Sequence, residues 1–325
     1  MKAIRRILVP IGDFGARTMP IIDKAAQLAL AWNAELELFH DITVAVPVEA
    51  IGTPGFSLRK LKSLSRRAAL SGLERLAKPL RARGLKVSIA AVHDYPPYEA
   101  IVRRVISRGV NLIVAPRRSR HRLPALLGYT DWELLRLSPI PVLLVKTSGR
   151  YRRPVVLAAI DPTHAFAKPS ALDQEILEES QAFSQALHGS LHVVHAYLPF
   201  PLSLKSDVSS ENKLSKGVLR AADLKAHQVF DKALAKSKIA VSNRHLIQGS
   251  SVEAISRAAR KTHSAIVVMG AVSRSGLKRV FIGNTAETVM DQIHCDLLVV
   301  KPKHFSRRVR RARRGIQYFS AALHA

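Results

Sequence analysis

Short unbroken apolar runs alternate with longer amphipathic stretches along the whole chain. In the first half the runs are residues 7–11, 36–40, 87–92, 111–115 and 142–145, each of buried-strand length. Between them, residues 20–32, 58–83, 97–108 and the stretch from Thr130 carry helical periodicity, the second of these rich in Arg and Lys. The second half repeats the order, with strands predicted at 155–160, 191–196, 241–247, 265–269 and 297–300. Its helices are predicted at 171–188, 215–236, 252–263 and from Thr285. Continuously apolar strands separated by helices predict βαβ units and a parallel sheet covered on both faces.

The two halves are copies of one pattern. The segment from Gly128-Tyr129-Thr130 to Lys146 lies without gaps on the segment from Gly283-Asn284-Thr285 to Lys301, and Glu99-Ala100-Ile101 matches Glu253-Ala254-Ile255. A repeat near 155 residues is too long for a solenoid unit and of domain size. The predicted architecture is therefore α/β, two tandem doubly wound five-stranded parallel-sheet domains. The expected boundaries are 1–150 and 151–302, followed by a basic C-terminal tail, 303–325. The aperiodic stretches 41–57 and 198–214 are expected as functional or mobile loops covering a crevice or the partner domain.

Charge changes the picture. Fifty-one Lys and Arg against 24 Asp and Glu give +27; without the tail's seven basic residues the balance is 44 against 24, so the excess is spread over the body. Such a field attracts polyanions. The tail concentrates it in Arg307, Arg308, Arg310, Arg311, Arg313 and Arg314, read either as a nonspecific contact with nucleic acid or an anionic surface, or as a solvated terminus. The apolar runs are far too short to span a bilayer, and the N-terminal run stops at Gly12-Asp13, so no secretory signal is expected. One cysteine, Cys295, leaves no internal disulfide or multi-cysteine metal site and is expected to be buried and inert. A cytoplasmic protein is the expectation.

In open α/β sheets, ligands bind beyond the carboxyl ends of strands where the strand order reverses. The loop from Gly270 to Thr285 is the richest such place. Gly270, Gly276 and Gly283 let backbone N–H groups approach an anion, and Arg274, Lys278 and Arg279 add charge. The helix starting near Asn284-Thr285 points its free amides there, with Asn284 and Glu287 spaced as a capping box. Asp161, ending the first strand of the second half, is placed to accept from a base amino group or a ribose hydroxyl. The first half lacks this chemistry. Gly12 stands where the acid would fall, with Asp13 one residue late, and the loop after Pro116 offers arginines instead of glycines: Arg117, Arg118, Arg120 and Arg122. These arginines either hold an anion by side chains or solvate an exposed loop. His40 and His195 end the second strand of each half, and backbone-satisfied histidines are expected there. His192 and His195, three apart on a strand, point to opposite faces. No Ser-His-Asp arrangement, carboxylate pair or metal-ligand spacing emerges, so neither an enzyme nor a metal is predicted.

The spacing Gly270-x2-Ser273-x9-Gly283-Asn284 resembles the universal stress protein signature, Gly-x2-Gly-x9-Gly-[Ser/Thr]. So do the flanks: Val156–Asp161, Gly249–Ile255 and Cys295–Pro302. The tandem layout, with Thr130-Asp131-Trp132 opening the last helix of the first half, is similar to the two-domain UspE-like branch of that family. The resemblance implies a Rossmann-like domain of strand order 3-2-1-4-5, an ATP site in the second domain only, and a non-enzymatic stress-response role. Carried over, Asp161 would meet adenine, and Gly270, Gly283, Asn284 and Thr285 would meet ribose and phosphates. Ser273 replaces the second glycine and Asn284 the usual hydroxyl. The family also implies packing of the two domains against each other, with a homodimer as a further expectation. The alternatives are a polyanion-associated protein acting through its basic surface and tail, or a carrier of an apolar ligand in the same crevice.

Overall fold

The computed structural model describes residues 4–15, 18–117, 130–163, 171–198, 214–235, 237, 239–271, 284–302 and 315–319. The chain divides into two compact units, one built from Lys2–Arg150 together with His304–Ala325, the other from Tyr151–Lys303.

In the first unit, β1 (Arg6–Pro10) leads to α1 (Met19–Trp32), β2 (Glu35–Ile42) and a short β3 (Val44–Pro47). The long α2 (Leu58–Ala82) follows, then β4 (Val87–His93), α3 (Pro97–Arg108), β5 (Leu112–Pro116), α4 (Thr130–Leu137) and β6 (Val142–Val145). The parallel order β4-β2-β1-β5-β6 places β1 at the switch point, with Arg6–Pro10 beside Glu35–Phe39 on one side and Ile7 beside Leu112 on the other. The second unit runs β7 (Val155–Ala159), α5 (Leu172–Ala186), β8 (Ser190–Tyr197), α6 (Leu214–Leu234), β9 (Arg244–Gln248), α7 (Ser251–Lys261), β10 (Ile266–Gly270), α8 (Asn284–Gln292) and β11 (Asp296–Val300). Its order, β9-β8-β7-β10-β11, is the same doubly wound arrangement.

The local causes are legible. Central strands are buried on both faces: every residue of β11 is buried, as are Leu112–Ala115 in β5. Glu37, fully buried in β2, is tolerated because Arg104 of α3 reaches it at 2.6 Å. Helix α7 opens with a capping box, Ser250 accepting from the N–H of Glu253 and the Glu253 carboxylate from that of Ser250. Helix α3 stops at Gly109, whose φ of 62° suits the left-handed cap.

Two segments depart from the sequence expectation. The predicted strand 241–247 begins instead with a 3-10 turn, Val241–Asn243, because the Asn243 side chain donates to the Leu191 carbonyl at 3.1 Å. Within 41–57, β3 forms and pairs in parallel with β12 (Ile316–Phe319), Ile316 opposite Val44 and Phe319 opposite Pro47. The C-terminal segment is therefore part of the first unit rather than a wholly separate tail. Gly315 immediately precedes that strand at φ 63°; a Cβ there would lie 2.6 Å from the Asp94 nitrogen, so only glycine fits. The six tail arginines lie outside the described residues. Among the described residues no helix is long and apolar enough to cross a membrane.

Candidate functional site

The crevice of the second unit lies beyond the carboxyl ends of β7 and β10, which are neighbours in register, Val156 opposite Ile266. Asp161 follows β7 at its mouth, partly exposed. Its backbone N–H donates to Asp173 Oδ1 at 3.0 Å, and its Oδ1 accepts from the Thr163 hydroxyl at 2.6 Å. One carboxylate oxygen is thus used to hold the turn, and among the described residues no donor engages Oδ2. Asp173 and Glu175 are buried in the first turn of α5, where the helix dipole favours their charge.

Gly270 ends β10, and its lack of a side chain has a packing cause. A Cβ there would lie 2.6 Å from Leu172 Cδ2 and 3.2 Å from Ile176 Cδ1, so α5 sits directly on the strand end. The space this glycine opens is filled by α5, not by the crevice. Ser273, Arg274, Gly276 and Gly283 lie outside the described residues, as do Lys278, Arg279 and the side chain of Glu287. Asn284 and Thr285 open α8, with side chains likewise outside the description. Ala271 donates its N–H to the Val300 carbonyl at 3.0 Å, and Lys301, the next residue after β11, is buried, which brings its ammonium down to about 7. The described carboxylates at the mouth are Asp161 and, behind it, Asp173.

The first unit fills the equivalent place with its own side chains. Asp13 Oδ1 accepts from the N–H of Gly15 at 2.8 Å, and the Thr18 hydroxyl donates to the Asp13 carbonyl at 2.9 Å, so Asp13 serves a local turn. Phe14 lies against Gly72 of α2, where a Cβ would come within 2.8 Å of the ring, and its centroid is 5.0 Å from that of His40. Arg117 is neither an anion ligand nor a solvated loop residue. It pairs with Asp131 of α4 at 2.9 Å, both side chains buried, and its guanidinium lies 5.8 Å from the centroid of the Trp132 ring. Arg118, Arg120 and Arg122 lie outside the described residues.

Both strand-end histidines are held by backbone. His40 Nδ1 lies 2.6 Å from the Ile11 carbonyl oxygen, and His195 Nδ1 lies 3.2 Å from that of Ile160, the corresponding place in the second unit. A carbonyl accepts only, so Nδ1 carries the proton in each. Cys295 is buried. The sequence reading missed the meeting of His192 with His245, Nδ1 of the first 2.9 Å from Nε2 of the second; burial lowers the pKa of both, and the neighbouring His192 and Lys261 add to the effect at His245. No spacing signals this pair, because the two residues meet only across the β8–β9 register. Among the described residues no group of three or more His, Cys, Asp or Glu could hold a metal ion.

Residues 3–146 and 155–301 each match the universal stress protein family. The chain is 33% identical to universal stress protein E of Escherichia coli K12 over 231 residues, 68% of this chain and 70% of that one. It is 32% identical to the Salmonella typhi protein of the same name over 238 residues, 70% of this chain and 73% of that one. A crystal structure of a functionally unknown protein from Pseudomonas aeruginosa PAO1 superposes with TM-score 0.69 at 25% identity, covering 93% of this chain and 94% of that one. A universal stress protein from Archaeoglobus fulgidus shares the fold, with TM-score 0.63 at 18% identity over 93% of this chain and 99% of that one. With two doubly wound units in one chain, each matched over nearly its whole sheet, the protein belongs to the universal stress protein family as a tandem, UspE-like member.

Proposed function

We propose that this protein is a cytoplasmic, non-enzymatic stress-response factor whose second unit binds a nucleotide, with ATP the candidate, while the first unit serves as a scaffold. The observation that carries the reading is Asp161. It stands beyond the switch point between β7 and β10, with one carboxylate oxygen held by Thr163 and the other without a donor among the described residues. The start of α8 at Asn284, after a loop with the family's glycine spacing, supports a phosphate end for the same ligand. In the first unit the Phe14 ring and the buried Arg117–Asp131 pair support the asymmetry between the two halves.

Equilibrium binding of ATP to the full chain tests this. Saturable binding is expected, weakened about tenfold or more by Asp161→Ala, the scale of losing a hydrogen bond to a charged group. Gly283→Val is expected to abolish it. Absence of saturable binding at millimolar nucleotide overturns the reading. In that outcome a fluorescent apolar probe displaced from the intact crevice would favour an apolar ligand in the same place.

A further inference from the structure

Strand β9 is the outer strand of the second unit, and none of its residues is buried. A strand with so little burial depends on its ladder with β8 and on side-chain ties. One tie is a pair of imidazoles. His245 lies opposite Val194 in the ladder, so His192, two positions earlier on β8, is its diagonal neighbour on the same face. His192 Nδ1 is 2.9 Å from His245 Nε2. The ring planes differ by 6° and the centroids lie 5.2 Å apart, which is the N···N distance plus the two ring radii. The rings are therefore edge to edge in one plane with their nitrogens in line. That is the geometry of an N–H···N hydrogen bond and not of a stack.

A neutral imidazole has one N–H, so the bridge holds one proton and the accepting ring keeps its own on the outer nitrogen. A first added proton goes to the outer nitrogen of the donating ring and leaves the bridge intact, now charge-assisted. A second must go to the accepting nitrogen inside the bridge. Two N–H groups and two positive charges then face each other with no acceptor between them. The surroundings oppose this second proton. Helix α7 covers this face, and Lys261, one turn beyond buried Ala258, adds positive charge to it. Arg257 and Arg260 of α7 are exposed, and Glu253 is held in the capping box at the helix's other end. Leu157 of β7, opposite His192, is uncharged. The opposite face of the sheet belongs to α5 and α6: His195, three positions from His192, meets Phe230 there, and Arg244 pairs with Asp231 at 3.5 Å. Among the described residues no carboxylate pairs with either ring of the bridge.

We infer that His192 and His245 form an acid-operated latch on the edge strand β9: a single proton in the bridge fastens the strand to β8, and protonation of both bridging nitrogens releases it. In the unfolded chain the two imidazoles titrate separately at their ordinary 6.5, whereas the folded pair takes its second proton only below that, a direction to which burial of both rings adds. The latch is therefore closed above 6.5, and its contribution is lost as pH falls below 6.5 through the lower folded value. Once β9 is released, the outer backbone edge of β8 at Val193–Tyr197 is open to pairing with another strand. The device stands apart from the crevice between β7 and β10 and does not depend on nucleotide binding there.

Hydrogen exchange of the full chain, corrected for the intrinsic pH dependence of exchange, tests the latch at about pH 7.5 and about pH 5. Protection of the Arg244–Gln248 amides is expected to fall at least about tenfold at the lower pH, the scale of losing a charge-assisted hydrogen bond, while Ile266–Gly270 in β10 stays protected. An Asn amide nitrogen stands where Nδ1 does and a Gln amide nitrogen where Nε2 does. His192→Asn with His245→Gln therefore offers a bridge that does not titrate, and is expected to lose the acid sensitivity of β9. Histidine ring resonances of the unsubstituted chain give a second readout that needs no variant. The two rings are expected to take up protons in two separated steps, the second below 6.5. Undiminished protection of β9 at the lower pH, an equal loss in β10, acid sensitivity that persists in the doubly substituted protein, or one common step at 6.5 overturns the latch. Zinc ion that perturbs both rings saturably at neutral pH would make the pair a metal site and overturn it as well.

Discussion

Arg117 and Asp131 meet at 2.9 Å across the two ends of the connection between β5 and α4. Arg117 follows β5 and also donates its backbone N–H to the Val145 carbonyl; Asp131 lies in the first turn of α4. The pair ties the end of the fourth core strand to the start of the last helix. Removing one partner of a buried pair leaves the other charge uncompensated. Asp131→Asn is expected to destabilise the first unit by about 3 kcal/mol, and adding Arg117→Met to recover a large part of it. Denaturant unfolding of the single and double variants measures this; equal losses in both would show that the ion pair is not what holds the junction.

Gly270 distinguishes packing from ligand approach. A Cβ would overlap Leu172, which is fully buried. Gly270→Ala is expected to cost about 1–3 kcal/mol with no ligand present. Combining it with Leu172→Ala should cost less than the two single changes added. Thermal unfolding of the ligand-free variants checks the coupling, and strict additivity would place the glycine's role elsewhere.

Glu179 gives the second unit a pH dependence. Burial, then the nearby charges of Glu178 and Glu175, push its carboxyl up to about 7 from an ordinary 4.5. The folded state holds the proton more tightly than the unfolded chain. Its contribution is therefore complete below about 4.5 and is lost as pH rises through about 7. Glu179→Gln is expected to flatten stability between those limits and to raise it at pH 8 by roughly 1–3 kcal/mol. Unfolding midpoints at pH 5 and pH 8 read the difference; an unchanged slope would refute the assignment.

The strand pair β3–β12 makes the C-terminal segment structural. Val44 donates its N–H to the Gly315 carbonyl at 2.9 Å, and Val44 and Val46 are buried. Deleting residues 303–325, or Gly315→Val in the full chain, is expected to expose the amides of Val44 and Val46. Hydrogen exchange of residues 44–47 should then approach the rate of an open loop. Unchanged protection would mean that β3 stands without its partner.

Much of the candidate site is legible before folding is considered. The apolar run ending at Asp161 and the glycine spacing from Gly270 to Gly283 mark strand ends and a loop by local composition alone. The cause of Gly270 is not legible, because it depends on α5, whose contact with the strand end is set by the sheet and not by neighbours in sequence. The role of Arg117 is hidden for the same reason: in the sequence it is one of four loop arginines, and only the return of α4 brings Asp131 to it. His192 meets His245 from 53 residues away, and no periodicity encodes that meeting.

The chain's own pattern determined the βαβ order, the duplication and the place of the crevice, since burial on both faces of a parallel sheet demands continuous apolar runs. Tertiary structure alone decided which polar residues are consumed by the fold and which remain for a ligand. It made Asp13 a turn acceptor and Arg117 half of an ion pair, and set the C-terminal strand beside β3. Periodicity is a property of neighbours a few positions apart, whereas hydrogen bonds and charge compensation join residues that only the completed fold brings within 3 Å.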